Sequence, residues 1–126
     1  MQRYLLVGVG GFLGAILRYY FAGLIQPLSF SFPIATLAIN ICGSFLLGLI
    51  MYSSQSLGVI DPNMRLFLTI GVLGAFTTMS TFGFESFKLL EQNQHLLFIS
   101  NVLLSIFGVI LAIYLAKAAS MYIWGG

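Results

Sequence analysis

The sequence predicts an all-α membrane protein with four transmembrane helices, and three observations carry this prediction. Of its 126 residues, 60% are hydrophobic and only 6% are charged, whereas a soluble globular domain carries about 25% charged residues. Residues 19–60, 66–84 and 96–116 contain no Asp, Glu, Lys, Arg or His. At about 20 residues per span, the chain has room for four helices and short loops, and we expect one domain over residues 1–126.

Each apolar stretch is predicted to be helical, because backbone N–H and C=O groups in lipid need partners within their own segment. The first charge-free stretch is too long for one helix. Its turn is marked by Pro27 and Pro33, since proline breaks or starts helices. The next two loops are marked by Asp61-Pro62-Asn63 and by the polar run 91–95. The predicted spans are residues 4–25, 33–53, 64–90 and 96–122.

Composition and charge exclude several classes of protein. A chain this apolar is not disordered, and its single cysteine, Cys42, cannot form an intrachain disulfide. The net charge of +2 comes from scattered basic residues that build no patch for nucleic acid. The sequence contains no recognisable nucleophile–base pair or metal-ligand set, so we do not expect an enzyme.

The few charges also bear on orientation and assembly. Arg3, Arg65 and Lys117 fall on the side of the two termini and Lys88 on the other side, which weakly favours cytoplasmic termini. So small a bias would allow insertion in both orientations, and hence an antiparallel, dual-topology homodimer. Four short helices can hardly enclose a polar path alone, so we expect a second copy to complete it.

Two pairs of small residues in the first span predict close helix packing. Gly10 with Gly14, and Gly11 with Ala15, follow the small-xxx-small pattern that lets helix backbones approach each other. Packing within one subunit and packing between two subunits fit this pattern equally well.

Polar side chains recur at helical spacing inside two spans. Thr36, Asn40 and Ser44 share one face of the second span, and Asn101 and Ser105 share one face of the fourth. Such residues form interhelical hydrogen bonds or line a path, and two stripes in so small a protein favour the path. Neither stripe contains a carboxylate or a lysine, so hydroxyls and amides would solvate an ion rather than relay protons.

Two ionisable residues lie within the predicted spans. Arg18, two thirds along the first span, either reaches the membrane interface or draws anions into a vestibule. Glu85, near the end of the third span, is either an interfacial residue beside Lys88 or a functional carboxylate.

The run from Gly71 to Glu85 is the most distinctive part of the sequence. Serine and threonine bond back to helix carbonyls and bend helices, and glycine loosens them further. We therefore expect the third helix to break near its middle and to expose backbone groups that coordinate ions. Four hydroxyl residues fall within five positions there: Thr77, Thr78, Ser80 and Thr81.

Taken together, these segments resemble the Fluc (CrcB-type) fluoride channel family over the whole chain. The resemblance is carried by residues 10–19 in the first span and residues 36–48 in the second. It is most specific in the Gly-x-x-Gly-x-x-Thr-Thr-x-Ser-Thr-Phe run of residues 71–82.

This resemblance implies a channel that passively exports fluoride across the cell's inner (plasma) membrane. It implies an antiparallel homodimer with two fluoride pores and, at its centre, a structural sodium ion held by the backbone carbonyls of Gly74 and Thr77 from both subunits. It places Arg18 beside a vestibule. The pore residues that it implies are Asn40, Met79, Ser80, Thr81, Phe82, Asn101 and Ser105.

One of these pore positions departs from the family pattern. Met79 stands where the family has its first pore phenylalanine. Methionine has a similar reach but lacks the positive ring edge of phenylalanine. We therefore expect lower throughput with fluoride selectivity kept.

Two other functions fit a protein of this size. A small multidrug-type exporter of organic cations needs a buried carboxylate for cation and proton, and the first span contains none. A non-transporting subunit of a larger membrane assembly would use its polar stripes only for helix packing.

Overall fold

The computed structural model describes residues 1–58 and 60–125, and all regular structure within them is helical. The prediction of four membrane-spanning helices is confirmed by length and apolar composition. The third of the four is broken near its middle, as expected from the hydroxyl run. The spans are Gln2–Leu28, Ile34–Gln55, Pro62–Glu91 and His95–Trp124.

The first two spans are joined by a turn that one side chain holds together. Helix α1 (Gln2–Ile25) runs into a 3₁₀ turn, Gln26–Leu28. The Gln26 amide donates from Nε2 to the carbonyls of Ser29 and Phe32, at 3.2 and 3.1 Å. Its Oε1 accepts the N–H of Ala35 at 3.3 Å, so one side chain provides partners for three backbone groups of the turn.

The boundary between the second and third spans follows ordinary capping chemistry. Helix α2 (Ile34–Leu57) ends at Gly58, whose φ of 58° is left-handed and favours glycine. Asp61 then caps the next helix, because its Oδ2 accepts the N–H groups of Asn63 and Met64 at 2.9 and 3.3 Å.

The third span consists of several helical pieces. Helix α3 (Pro62–Leu66) continues as a π-helical segment, Phe67–Leu73, and then as one turn of helix, α4 (Gly74–Phe76). The chain leaves helical geometry after that turn and resumes as α5 (Ser80–Glu91). After a short turn, α6 (His95–Trp124) forms the unbroken fourth span.

The packing places polar groups inside and large apolar side chains outside. Asn101 and Ser120 are among the most deeply buried side chains, at 2% and 1% exposure. Many large apolar side chains of α1 and α6 are exposed, as expected for helices in contact with lipid. Helix α2 packs along α6, and α1 packs against the π-helical segment.

The glycine pair of the first span packs within the subunit. A Cβ at Gly10 would lie 2.7 Å from the carbonyl oxygen of Phe67 and 2.9 Å from the Cα of Gly71, and one at Gly14 would overlap the backbone of Val72. Of the two readings left open by the sequence, packing within one subunit is therefore correct for this pair. Gly11 makes only ordinary contact, 4.0 Å from the Cβ of Ala75.

We expect Gly14→Ala to destabilise the protein by about 1–3 kcal/mol, because the added methyl group must push α1 away from the third span. The measurement is the midpoint of thermal unfolding of the purified protein in a mild detergent. Gly23→Ala is the matched control, since a Cβ there meets nothing within 4 Å and alanine favours the helix. Equal midpoints for the two variants would contradict this packing.

Candidate functional site

The helix break at residues 77–79 is the centre of the candidate site. Thr77 is extended, with φ −82° and ψ 156°. Its N–H and its hydroxyl both donate to the carbonyl oxygen of Leu73, each at 3.0 Å, and so close the helix before the break. Helix α5 starts with the bond from the Gly83 N–H to the Met79 carbonyl at 2.9 Å.

A side chain of the second span holds the break in place. Asn40 donates from Nδ2 to the Thr78 carbonyl at 2.9 Å and accepts the Thr78 N–H on Oδ1 at 2.8 Å. This pair of bonds gives both backbone groups of Thr78 a partner where the helix supplies none. One N–H of the Asn40 amide remains for another acceptor.

The threonine of the break also caps the second half-helix. The Thr78 hydroxyl accepts the N–H of Thr81 at 3.3 Å. The same oxygen donates to the Thr81 hydroxyl at 3.2 Å and lies 3.4 Å from the Ser80 hydroxyl. The hydroxyl run therefore forms one connected group at the N-terminus of α5.

These bonds leave two particular carbonyl oxygens without their helical partners. In an α-helix the Gly74 carbonyl accepts the Thr78 N–H, and the Thr77 carbonyl accepts the Thr81 N–H. Here those N–H groups bond instead to Asn40 and to the Thr78 hydroxyl. Among the described residues, neither carbonyl oxygen accepts another hydrogen bond. Both are therefore able to coordinate a cation.

Metal-binding side chains do not cluster in the described part of the chain. Within residues 1–58 and 60–125, no three His, Cys, Asp or Glu side chains come close enough together to hold a metal ion. A cation at the break would rest on backbone and hydroxyl oxygens.

Arg18 reaches the same break from the first span. Its Nε donates to the carbonyl oxygen of Ala75 at 3.1 Å, and the side chain is half-buried. Because Ala75 lies in the last helical turn before the break, the guanidinium lies beside carbonyls that have lost helical partners. The terminal nitrogens of Arg18 make no hydrogen bond to the described residues.

An open depression of about 340 Å³ lies over the break. It brings Asn40 and Met79 together with the two carbonyl residues Gly74 and Thr77. Met79 lies at the edge of this depression and is 78% exposed. Phe82 lies one turn into α5 and is half-exposed, and it does not line this depression.

The two polar residues of the fourth span are both buried, but they differ in their hydrogen bonding. Asn101 donates from Nδ2 to the Ser86 hydroxyl at 2.9 Å. This is an interhelical hydrogen bond, one of the two roles that the sequence predicts for such residues. The Ser105 hydroxyl is buried and has no hydrogen-bond partner among the described residues. An unpartnered buried hydroxyl is costly, so Ser105 keeps a donor for a group outside the described chain.

Sequence reasoning missed Ser86, the partner of Asn101. The only signal was its spacing, since Ser86 follows Phe82 by four residues and so shares its helix face. Identification of the Asn101 bond also required knowledge of how α5 packs on α6.

Glu85 lines a separate polar pocket of about 520 Å³ with Thr81, Lys88 and Gln26. Its Oε1 is buried without a hydrogen-bond partner, and among the described residues it forms no ion pair with Lys88. Glu85 therefore lies near Lys88, as one of the two sequence-based interpretations has it, but without an ion pair among the described residues.

The fold and the site define a class: a small multi-pass membrane protein whose broken third span is held by polar contacts from the first two. Residues 5–117 match the family described as "CrcB-like protein, Camphor Resistance (CrcB)". The chain belongs to this CrcB-like family, which confirms the resemblance carried by its motifs.

Similar proteins from several organisms carry a functional name. The chain is 50% identical to fluoride-specific ion channel FluC 3 of Methanosarcina barkeri, in an alignment covering 100% of this chain and 98% of the relative. It is 46% identical to fluoride-specific ion channel FluC 1 of Methanosarcina acetivorans, covering 96% and 92%. It is 42% identical to fluoride-specific ion channel FluC of Geotalea daltonii, covering 98% and 100%.

We expect Asn40→Ala to destabilise the protein by about 2 kcal/mol or more, because it leaves both backbone groups of Thr78 without a partner. The thermal midpoint in detergent measures this loss. Ser44→Ala is the matched control on the same face of α2, since Ser44 lines the same depression but makes no hydrogen bond to the break. An Asn40→Ala midpoint equal to that of the control would show that the Asn40 bonds do not hold the break.

Proposed function

We propose that this chain is a fluoride channel that passively exports fluoride across the cell's inner (plasma) membrane. Relatives named as fluoride-specific ion channels align with nearly the whole chain at 42–50% identity. The structural observation that carries the proposal is the buried Ser105 hydroxyl without a partner. A small anion that has lost its water needs such a donor.

The remaining donors of the proposed pore come from the break. Asn40 has one free amide N–H, and the Ser80 and Thr81 hydroxyls start α5. The edge of the Phe82 ring carries the positive part of its quadrupole. Donors of this kind replace the hydration shell of fluoride, and a narrow path lined by them excludes the larger chloride ion. In this proposal Asn101 positions Ser86 beside the path.

Arg18 supplies the fixed positive charge of the vestibule. Its guanidinium lies beside the break and donates to Ala75, which leaves its terminal nitrogens to attract an anion. A cation near the entrance lowers the cost of bringing fluoride into a low dielectric.

The proposed sodium ion is bound by the carbonyls of Gly74 and Thr77. These carbonyls fit a hard cation, because both have lost their helical partners and both line the depression over the break. When bound, sodium supplies a positive charge that links two broken helices. Two carbonyls from one chain are too few, so the second pair comes from a second copy.

We propose an antiparallel homodimer with two pores, as the family resemblance implies, and the open face over the break supports a second copy. Backbone carbonyls at membrane depth are tolerated only where protein or a water-filled cavity covers them. In one chain the depression that contains Gly74 and Thr77 is open, and Met79 at its edge is exposed. A second copy covers this face. Each chain of 126 residues forms a single domain, and two such chains form the dimer.

The two alternative functions have less support. A multidrug-type cation exporter needs a carboxylate in the path, and Glu85 lies in the pocket with Lys88 rather than at the break. A non-transporting assembly subunit gives Ser105 no role, because its hydroxyl makes no packing bond within the described chain. In this proposal the chain is a channel and not an enzyme.

The test is anion efflux from liposomes that contain the purified full chain and are loaded with potassium fluoride or potassium chloride. With valinomycin present, we expect rapid loss of fluoride and no loss of chloride. Ser105→Ala is expected to slow fluoride loss about tenfold or more, since it removes a hydrogen bond to an ion. Ser120→Ala is the matched control, because Ser120 is also buried on α6 but bonds to Ser53. Absence of fluoride loss from both the wild type and Met79→Phe would contradict the channel.

We expect Met79→Phe to increase the initial rate of fluoride efflux and to leave chloride excluded. The aromatic ring adds a positive edge at an exposed position beside the break. Met79→Leu is the control, because it has neither a ring nor sulfur, and its rate should not exceed that of the wild type. Equal rates for Met79→Phe and the wild type would refute the limiting role of Met79.

A further inference from the structure

A second polar cavity lies away from the break, where the first and third spans begin. It has a volume of about 380 Å³. We call it the basic pocket, since two arginines line it. The residues that carry the argument are Arg3, Arg65, Asn63, Met51, Leu66 and Ile70.

Neither arginine of the basic pocket forms an ion pair within residues 1–58 and 60–125. The acidic residue closest in sequence to Arg65 is Asp61, whose Oδ2 caps α3 by accepting the N–H groups of Asn63 and Met64. Two uncompensated guanidinium groups at one cavity favour an anionic ligand.

Arg65 is held in place rather than freely solvated. Its side chain is half-buried, and Nη1 donates to the Ser54 hydroxyl of α2 at 3.3 Å. The Thr69 hydroxyl donates to the Arg65 carbonyl at 2.7 Å and stabilises the turn that carries it. A guanidinium positioned in this way keeps a planar set of N–H donors, which matches the oxygens of a phosphate group.

The other side of the basic pocket is apolar. Met51, Leu66 and Ile70 line it, and Ile70 is 60% exposed on the outer face of the third span. Because this span begins at Pro62, the cavity lies at the end of the apolar segment, at the level of lipid headgroups. A ligand that fills it therefore carries a negative charge at one end and an apolar body at the other.

We propose that the basic pocket binds the phosphodiester headgroup of an anionic phospholipid. Arg3 and Arg65 hold the phosphate, Asn63 lies at its polar edge, and the glycerol and acyl chains run along Leu66 and Ile70. Basic pockets between membrane helices bind anionic headgroups in this way. A free phosphate ion would leave the apolar side without a partner. This proposal does not depend on fluoride transport.

The experiment is native mass spectrometry of the purified full chain in a nonionic detergent, with phosphatidylglycerol or phosphatidylcholine added. We expect the wild type to retain phosphatidylglycerol and not phosphatidylcholine. Arg3→Gln and Arg65→Gln are each expected to lower the retained fraction about tenfold, since each removes charge-assisted bonds to phosphate. Lys117→Gln is the matched control and should retain the lipid, because Lys117 lies over the Tyr52 ring outside the pocket.

Three results would overturn the proposal. The first is equal retention of phosphatidylglycerol by the two arginine variants and Lys117→Gln, and the second is equal retention of phosphatidylcholine by the wild type. The third is displacement of the lipid by inorganic phosphate, which would identify a free-anion site. Arg3 is exposed, so Arg3→Gln decides the question if Arg65→Gln does not fold.

Discussion

The two hydrogen bonds between the Asn40 amide and the backbone of Thr78 are the contact on which the site depends. A helix interrupted inside a membrane leaves N–H and C=O groups without partners, and lipid supplies none. Asn40 satisfies one such pair. By diverting the Thr78 N–H, it also releases the Gly74 carbonyl from the helix. One amide therefore both stabilises the break and leaves a carbonyl oxygen without its helical partner.

The rest of the chain keeps that break in a fixed position. Helix α1 packs closely through Gly10 and Gly14 against the segment before the break, and Arg18 from the same helix bonds to Ala75. Helix α2 brings Asn40 and is itself packed along α6. Polar side chains such as Asn101 and Ser120 are buried as deeply as the alanines and leucines of the core, so directional bonds help to organise the interior of this protein.

The sequence was sufficient to predict the four spans and the break. Runs without charged residues indicate segments that lie in lipid, and a cluster of hydroxyl residues indicates a weakened helix. It was not sufficient for side-chain partners, which depend on how helices are rotated against each other. The Asn101 bond to Ser86 and the single glutamine that holds the first turn are two such cases. The π-helical segment Phe67–Leu73 also has no composition that marks it.

The positions of the partners along the chain have a consequence for biogenesis. Arg18 and Asn40 both precede the break in sequence, by 57 residues from Ala75 and by 38 residues from Thr78. Chains are synthesised from the N-terminus, so both side chains enter the membrane before the interrupted helix does. The Thr78 backbone groups and the Ala75 carbonyl can therefore find their partners as soon as the third span arrives.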